Sequence, residues 1–289
     1  NGEKMNKKPL ITLYTPGNKP ELIEKASRFE PDGIVIDFED AVPLSMKSEV
    51  RDNVSKNVLP KLSITTLIRV NSEIEFLEDD LNAVVGPYIY GIALPMAESV
   101  EQVQFADKII TKLERERGLE PNSIKLLLLI ETALGVVKCY DICSAAKRVE
   151  SIVFGSAEDG DLQRDLHSGF SIDGFEMNYS RSKSLVDARA AKLPYILDGA
   201  FSGIHDLDAL RLECELSKSI GYDGRTLIHP SHVAVARKAY EPDPKLIGYY
   251  QRMVEAFEEA EKNGLAAITF ENKLVDYAMY KKGKVYLDR

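Results

Sequence analysis

Along the chain, short apolar, β-branched runs alternate with longer stretches of helical periodicity. The runs are Leu10–Tyr14, Gly33–Ile36, Thr65–Val70, Gly91–Leu94, Ile124–Ile130, Ser151–Phe154, Pro194–Leu197 and Arg225–Ile228. They are nearly continuously hydrophobic, the pattern of strands buried on both faces. Between them the spacing predicts helices, most clearly over Lys19–Arg28, Ser99–Gly118 and Leu207–Ile220. In the last, Leu207, Leu210, Leu216 and Ile220 share a face while Glu213, Glu215 and Lys218 lie off it. Eight strand–helix repeats predict an α/β fold, a closed (β/α)8 TIM barrel, whose usual size is about 250 residues. An open doubly wound sheet would place a glycine-rich phosphate loop after the first strand. Thr15-Pro16-Gly17-Asn18 has a single glycine there.

After Pro242 and Pro244 the pattern changes. A long amphipathic helix is predicted over Leu246–Lys262, an extra strand over Leu265–Phe270 and a final helix near Val275–Lys282. The predicted organisation is therefore a barrel over residues 5–240 and a C-terminal helical extension over 241–289, capping the barrel or packing on a neighbouring subunit. Asn1–Lys4, ahead of Met5, read as an expression remnant.

Composition narrows the function. With 46 acidic and 37 basic residues the net charge is −9, and no Lys/Arg run exceeds a pair. That argues against nucleic acid and membrane surfaces as partners. The longest apolar run, Leu126–Ile130, is far short of the roughly 20 residues a membrane span needs, and no charged-then-apolar leader opens the chain. Cys139, Cys143 and Cys214 show no C-x-x-C spacing and read as buried thiols of a reducing, cytoplasmic protein.

In a (β/α)8 barrel the chemistry sits where strands end, and here those ends are polar. They carry Thr15-Pro16-Gly17, Asp37-Phe38-Glu39-Asp40, Arg69-Val70-Asn71, Glu131-Thr132, Ser156-Ala157-Glu158-Asp159-Gly160-Asp161, Asp198-Gly199 and His229-Pro230. A lone carboxylate at such a point is commonly a helix cap. Several at one mouth repel one another and stay ionised only beside a cation. Oxygen-rich sites of a few carboxylates suit Mg²⁺, and the scattered histidines offer no zinc set. Glu131 and Asp159 form the candidate metal pair. Arg69, a planar fork, is the candidate partner for a substrate carboxylate, with a structural ion pair to Glu39 or Asp40 as the competing reading.

These motifs resemble the citrate lyase β-subunit-like enzymes, with the malyl-CoA and citramalyl-CoA lyases, in the wider HpcH/HpaI aldolase group. The resemblance is carried by Tyr14-Thr15-Pro16-Gly17-Asn18-Lys19-Pro20, Val35-Ile36-Asp37-Phe38-Glu39-Asp40-Ala41-Val42, Ile68-Arg69-Val70-Asn71, Leu94-Pro95 and Ile130-Glu131-Thr132-Ala133. It continues through Ala157-Glu158-Asp159, Tyr179-Ser180-Arg181-Ser182-Lys183 and Gly221–His229-Pro230, in family order over almost the whole chain. It implies a Mg²⁺-dependent barrel, trimeric or hexameric, joining or splitting a 2-oxo acid and an acyl thioester. Glu131 and Asp159 would hold the metal, and Arg69, with Glu39 and Asp40, would serve catalysis. Thr15, Pro16, Gly17, Arg69, Pro95 and Met96 would contact substrate.

The chain departs from the family pattern at three places. Met96 stands where many relatives have lysine. Gly203 stands where an acid/base aspartate is usual, leaving His205 or Asp206 as replacements. The acidic turn is longer, so Asp161 and Glu158 compete with Asp159 as ligand. The leading expectation is a Mg²⁺-dependent carbon–carbon lyase acting on a 3-hydroxy-3-carboxyalkyl thioester, with a 2-oxo acid and acyl-CoA as partners. Lys19 and Lys183 are the only motif lysines available for the CoA phosphates. The competing expectations are a CoA-independent 2-oxo acid aldolase and a non-catalytic subunit that keeps the metal and oxo-acid site.

Overall fold

The computed structural model describes residues 8–288, so the reading of Asn1–Lys4 lies outside the described residues. The chain divides into two compact units, the first ending at Tyr240 and the second beginning at Glu241. In the first, eight parallel strands close into a barrel in chain order. They are β1 (Ile11–Pro16), β2 (Gly33–Asp37), β3 (Thr65–Arg69), β4 (Gly91–Leu94), β5 (Lys125–Ile130), β6 (Val149–Phe154), β7 (Leu197–Asp198) and β8 (Gly224–Leu227), with β8 paired to β1.

The near-continuous hydrophobicity of the strands has a direct cause, because successive side chains enter two different cores. Ile34, Ile36, Leu126, Leu128, Ile130, Ile152 and Phe154 pack in the shell between strands and helices. Val35, Leu67, Ala93, Leu127, Leu129, Val153 and Leu197 fill the barrel interior. β7 is shorter than the predicted run. Pro194 has no N–H to donate, and the Ile196 N–H goes to the Asp223 carboxylate at 2.9 Å instead of to a strand.

The helices follow the periodicity. Helix Val100–Glu116 begins where Ser99 accepts the Gln102 N–H, and helix Leu207–Ile220 where Asp206 accepts the Ala209 N–H. The first predicted helix stops at Ala26 and tightens into a 3₁₀ turn, Ser27–Phe29, before Glu30 in the left-handed region. The three cysteines are free and buried. No helix among the described residues is long and apolar enough to cross a membrane.

The second unit holds helix Pro244–Lys262, strands β9 (Ala267–Phe270) and β10 (Lys273–Asp276) and helix Tyr277–Leu287. Tyr250, Met253, Val254, Phe257 and Val275 form its own apolar cluster. β10 was not predicted. Its hairpin turns through Glu271 and Asn272, both left-handed, without the glycine that usually marks such a turn. The final helix starts later than expected, at the Asp276 cap.

Candidate active site

The two-residue period of the barrel interior decides what reaches its C-terminal mouth. One step beyond Val35 on the inward face is Asp37; beyond Leu67 it is Arg69, and beyond Leu129 it is Glu131. One step beyond Val153 and Leu197 are Gly155 and Gly199. All five line a cavity of about 340 Å³ at this end, together with Tyr14, Thr15, Pro16, Asp40, Ser156, Asp161, Thr226 and Ile228. The lining thus combines charged groups with small or apolar ones.

Arg69 organises the charged groups. Its Nε and Nη2 donate to the two Asp37 oxygens at 2.7 and 2.6 Å, and its Nη1 lies 3.1 Å from Asp40 and 3.0 Å from Glu39. The Tyr14 ring packs on the guanidinium, 5.4 Å from ring centre to Cζ. Asp37 also accepts the Glu39 and Ala41 N–H groups, at 2.9 and 3.2 Å, so one carboxylate fixes both the arginine and the turn that carries Glu39 and Asp40. Below that turn the buried Lys47 ammonium donates to the carbonyls of Phe38 and Glu39 and to Asn71 Oδ1.

Arg69 is the one cation among the lining residues, against Asp37, Asp40, Glu131 and Asp161. Two carboxyls here are held toward their neutral form. Burial pushes Glu131 up to about 7, against the pull of Arg69 and a 3.2 Å bond from the Met96 N–H, with Asp161 and Asp40 pushing the same way as burial. Burial likewise takes Glu39 up to about 8, which Arg69 opposes. Desolvation is the larger cause in both, with like charge second to it, and Asp161 meets Arg164 outside the lining at 2.7 Å.

The expected residues sort as follows. Thr15, Pro16, Asp40, Arg69 and Glu131 line the cavity. Glu39 stands behind Arg69, 14% exposed, and Gly17 lies under the first turn, its N–H on the Asp37 carbonyl. Pro95 and Met96 are not lining residues, although the left-handed backbone of Met96 aims its N–H at Glu131. Asp159, the first choice as second ligand, is exposed and outside the cavity, as is Glu158. The Ala157–Gly160 turn, closed by Gly160 N–H on the Ala157 carbonyl, leaves both on the solvent side, and the chain re-enters the mouth at Asp161.

One further expectation is corrected. Asp198, counted among the carboxylates wanting a cation, is fully buried beside Arg181 and Arg225. The two candidates of the Gly203 loop do not line the cavity of their own chain: His205 is exposed and Asp206 caps its helix. Lys19 is exposed and Lys183 is paired with Asp187, neither lining the cavity. Tyr14 and Ser156 were quoted only as parts of motifs and given no role; the buried Ser156 Oγ has no hydrogen-bond partner among the described residues. The period-two register from Val35 to Asp37, once the inward face is known, would have picked out Tyr14.

The donor set fits a hard cation. The lining residues include no His or Cys, and Glu131 and Asp161 supply carboxylate oxygens. Among the described residues no group of three or more His, Cys, Asp or Glu could enclose a metal alone. Two carboxylates with room for water and substrate is the arrangement Mg²⁺ favours.

The HpcH/HpaI aldolase/citrate lyase family matches residues 10–230. The citrate lyase subunit beta of Haemophilus influenzae is 31% identical over 280 residues, 96% of this chain and 95% of that protein. The (3S)-malyl-CoA thioesterase of Cereibacter sphaeroides is 32% identical over 267 residues, 91% and 88% of the two chains. Among solved structures, CitE of Mycobacterium tuberculosis in complex with magnesium, acetoacetate and coenzyme A superposes with a TM-score of 0.77 at 25% identity, covering 96% and 97% of the chains. The M. tuberculosis citrate lyase beta subunit with oxaloacetate and magnesium gives 0.67 at 27% identity, covering 83% and 100%.

Proposed function

The chain belongs to the HpcH/HpaI aldolase/citrate lyase family, a family of carbon–carbon lyases, and we propose that it is a Mg²⁺-dependent lyase. The reaction is cleavage of a 3-hydroxy-3-carboxyalkyl thioester to a 2-oxo acid and an acyl-CoA, or the reverse condensation. The observation that carries the reading is the make-up of the cavity lining. It combines Glu131, Asp161 and Arg69 with the small or apolar Gly155, Gly199, Val153 and Ile228. An oxo acid presents charge and chelating oxygens to the first set, and the growing or departing acyl carbon needs only the space that the second leaves.

Glu131 and Asp161 would hold Mg²⁺, which supplies Lewis acidity to the oxygen on which charge develops. Arg69, fixed by Asp37 in its plane and by Tyr14 on its face, orients the substrate carboxylate and stabilises negative charge. Asp40 and Glu39, both on Nη1, hold the cation toward the mouth. The Met96 N–H keeps the Glu131 carboxylate turned inward. The name of the malyl-CoA thioesterase and the coenzyme A complex of CitE support a thioester substrate.

The test is incubation with Mg²⁺ and citramalyl-CoA or malyl-CoA, following 2-oxo acid and acyl-CoA release. Turnover that stops on chelation supports the proposal. Turnover of free 4-hydroxy-2-oxo acids alone would make it a CoA-independent aldolase. Free CoA with an intact hydroxy acid would make it a hydrolase. Binding of pyruvate with Mg²⁺ and no turnover would make it a non-catalytic subunit.

A further inference from the structure

We propose that the Tyr14 phenol is the acid that protonates the α-carbon of the departing acyl thioester, and the base that removes that proton in condensation. The inference rests on the lyase reading above and adds the proton carrier that reading lacks.

Cleavage of the carbon–carbon bond leaves its electron pair on the α-carbon, which must collect a proton before the thioester leaves. Few groups in the cavity can give one. Asp37 is locked on Arg69, and Asp40 is exposed and paired with the same guanidinium. Glu131 and Asp161 are the proposed metal ligands. The Thr15 hydroxyl donates to the Val35 carbonyl at 3.4 Å. Within the chain the Gly203 loop brings no acid to the cavity: its glycine has no side chain, His205 is exposed outside the lining, and Asp206 caps a helix.

Tyr14 remains. It lies on the inward face of β1, lines the cavity, and its hydroxyl has no hydrogen bond with any described residue. Ser156 and Thr226 also line the cavity, but an aliphatic hydroxyl is a far weaker acid than a phenol. Burial, with the Glu131, Asp37 and Glu39 carboxylates, keeps the phenol protonated and so ready to donate, and the Arg69 guanidinium, 5.4 Å from the ring centre, partly offsets the charge of the phenolate that donation leaves behind. The step balances without another reactant. The carbinol O–H gives up its proton as the carbonyl forms, the carbon–carbon pair goes to the α-carbon, and that carbon takes the phenol proton. The carbinol proton, passed through water, restores the phenol.

Tyr14→Phe keeps the ring and its contact with Arg69 and removes only the hydroxyl. The full chain is assayed with Mg²⁺ and citramalyl-CoA for kcat and KM, with acetyl-CoA plus pyruvate in D₂O for deuterium wash-in to the acetyl methyl group, and by calorimetry for pyruvate binding with Mg²⁺. The expected result is a loss of roughly a hundredfold or more in both kcat and wash-in, with KM and pyruvate affinity within about threefold of wild type. Wash-in and kcat within threefold of wild type overturn the inference. So does an equal loss of pyruvate affinity, which would make Tyr14 a binding residue. A wild type that neither cleaves nor exchanges any thioester overturns the lyase reading and this inference with it, whereas an active wild type matched by Tyr14→Phe overturns this inference alone.

Discussion

Arg69 and Asp37 are register neighbours on adjacent parallel strands and meet fork to fork, with both carboxylate oxygens held by the arginine's Nε and Nη2. A bidentate pair fixes the guanidinium plane, which a single ammonium cannot do. Arg69→Lys is therefore expected to lower kcat/KM by roughly a hundredfold or more while the fold persists, measured by steady-state turnover alongside circular dichroism. Asp37→Asn acts differently. It leaves a mostly buried guanidinium short of its counter-ion and weakens the turn that Asp37 holds through two backbone N–H groups. A loss of roughly 3–5 kcal/mol of stability is expected in urea unfolding.

How much of this was legible in the sequence depends on which interactions set each feature. The barrel was legible because eight runs are apolar on both faces, a property local to each run. The chemical identity of the mouth was legible too, since Arg69 and Glu131 follow directly on their strands. The second acidic group was legible only as a choice among Glu158, Asp159 and Asp161. Choosing Asp161 over Asp159 depends on the path of the Ala157–Gly160 turn, where Asp159 takes a left-handed conformation that the sequence does not announce. Asp198 was misjudged for a related reason. Its partners Arg181, Arg225 and Glu213 lie on other elements, so the neutralising charges are near it only in three dimensions.

The ligand assignment has its own test. Mg²⁺ titrated calorimetrically into Glu131→Gln and Asp161→Asn should bind at least roughly tenfold more weakly than into wild type, a change of about 1.4 kcal/mol each. Asp159→Asn should bind as wild type does. Equal effects from Asp159→Asn and Asp161→Asn would show that the turn rearranges around the metal.

Gly155 offers a steric probe of the same carboxylate. A Cβ there would stand 2.9 Å from the Ile130 carbonyl and 3.1 Å from Glu131 Cγ. The backbone carbonyl cannot give way cheaply, so the strain passes to Glu131. Gly155→Ala is expected to weaken Mg²⁺ binding measurably, with a far-UV spectrum unchanged.

Glu39 gives the protein without added metal a pH signature. Burial raises its carboxyl from 4.5 to about 8, so the folded state holds a proton that the unfolded chain releases. Its contribution is fully present below about 4.5 and is lost as pH rises through about 8, the reverse of an ordinary paired carboxylate. Over that window the protein should lose stability by an amount on the order of a few kcal/mol. Thermal or urea midpoints from pH 5 to 8 should show the fall in wild type and a shallower one in Glu39→Gln. Parallel slopes would mean that Glu39 is ionised throughout.

The buried set of Asp198, Glu213, Arg181 and Arg225 carries two charges of each sign. Arg181 reaches Glu213 at 3.1 Å and Asp198 at 3.4 Å, and Arg225 reaches Glu213 at 2.8 Å. Burial works to raise the Asp198 carboxyl, but Arg181 and Arg225 more than offset it and hold it below the usual carboxylate range. Its stabilisation is therefore present at neutral pH and lost only as pH falls through that lowered value. Asp198→Asn leaves a net positive charge in the core and should cost roughly 3–5 kcal/mol in urea unfolding. Asp198 does not line the cavity, so the folded fraction should still bind Mg²⁺ within about threefold of wild type. Weakened metal binding with unchanged stability would instead put Asp198 among the groups that serve the metal.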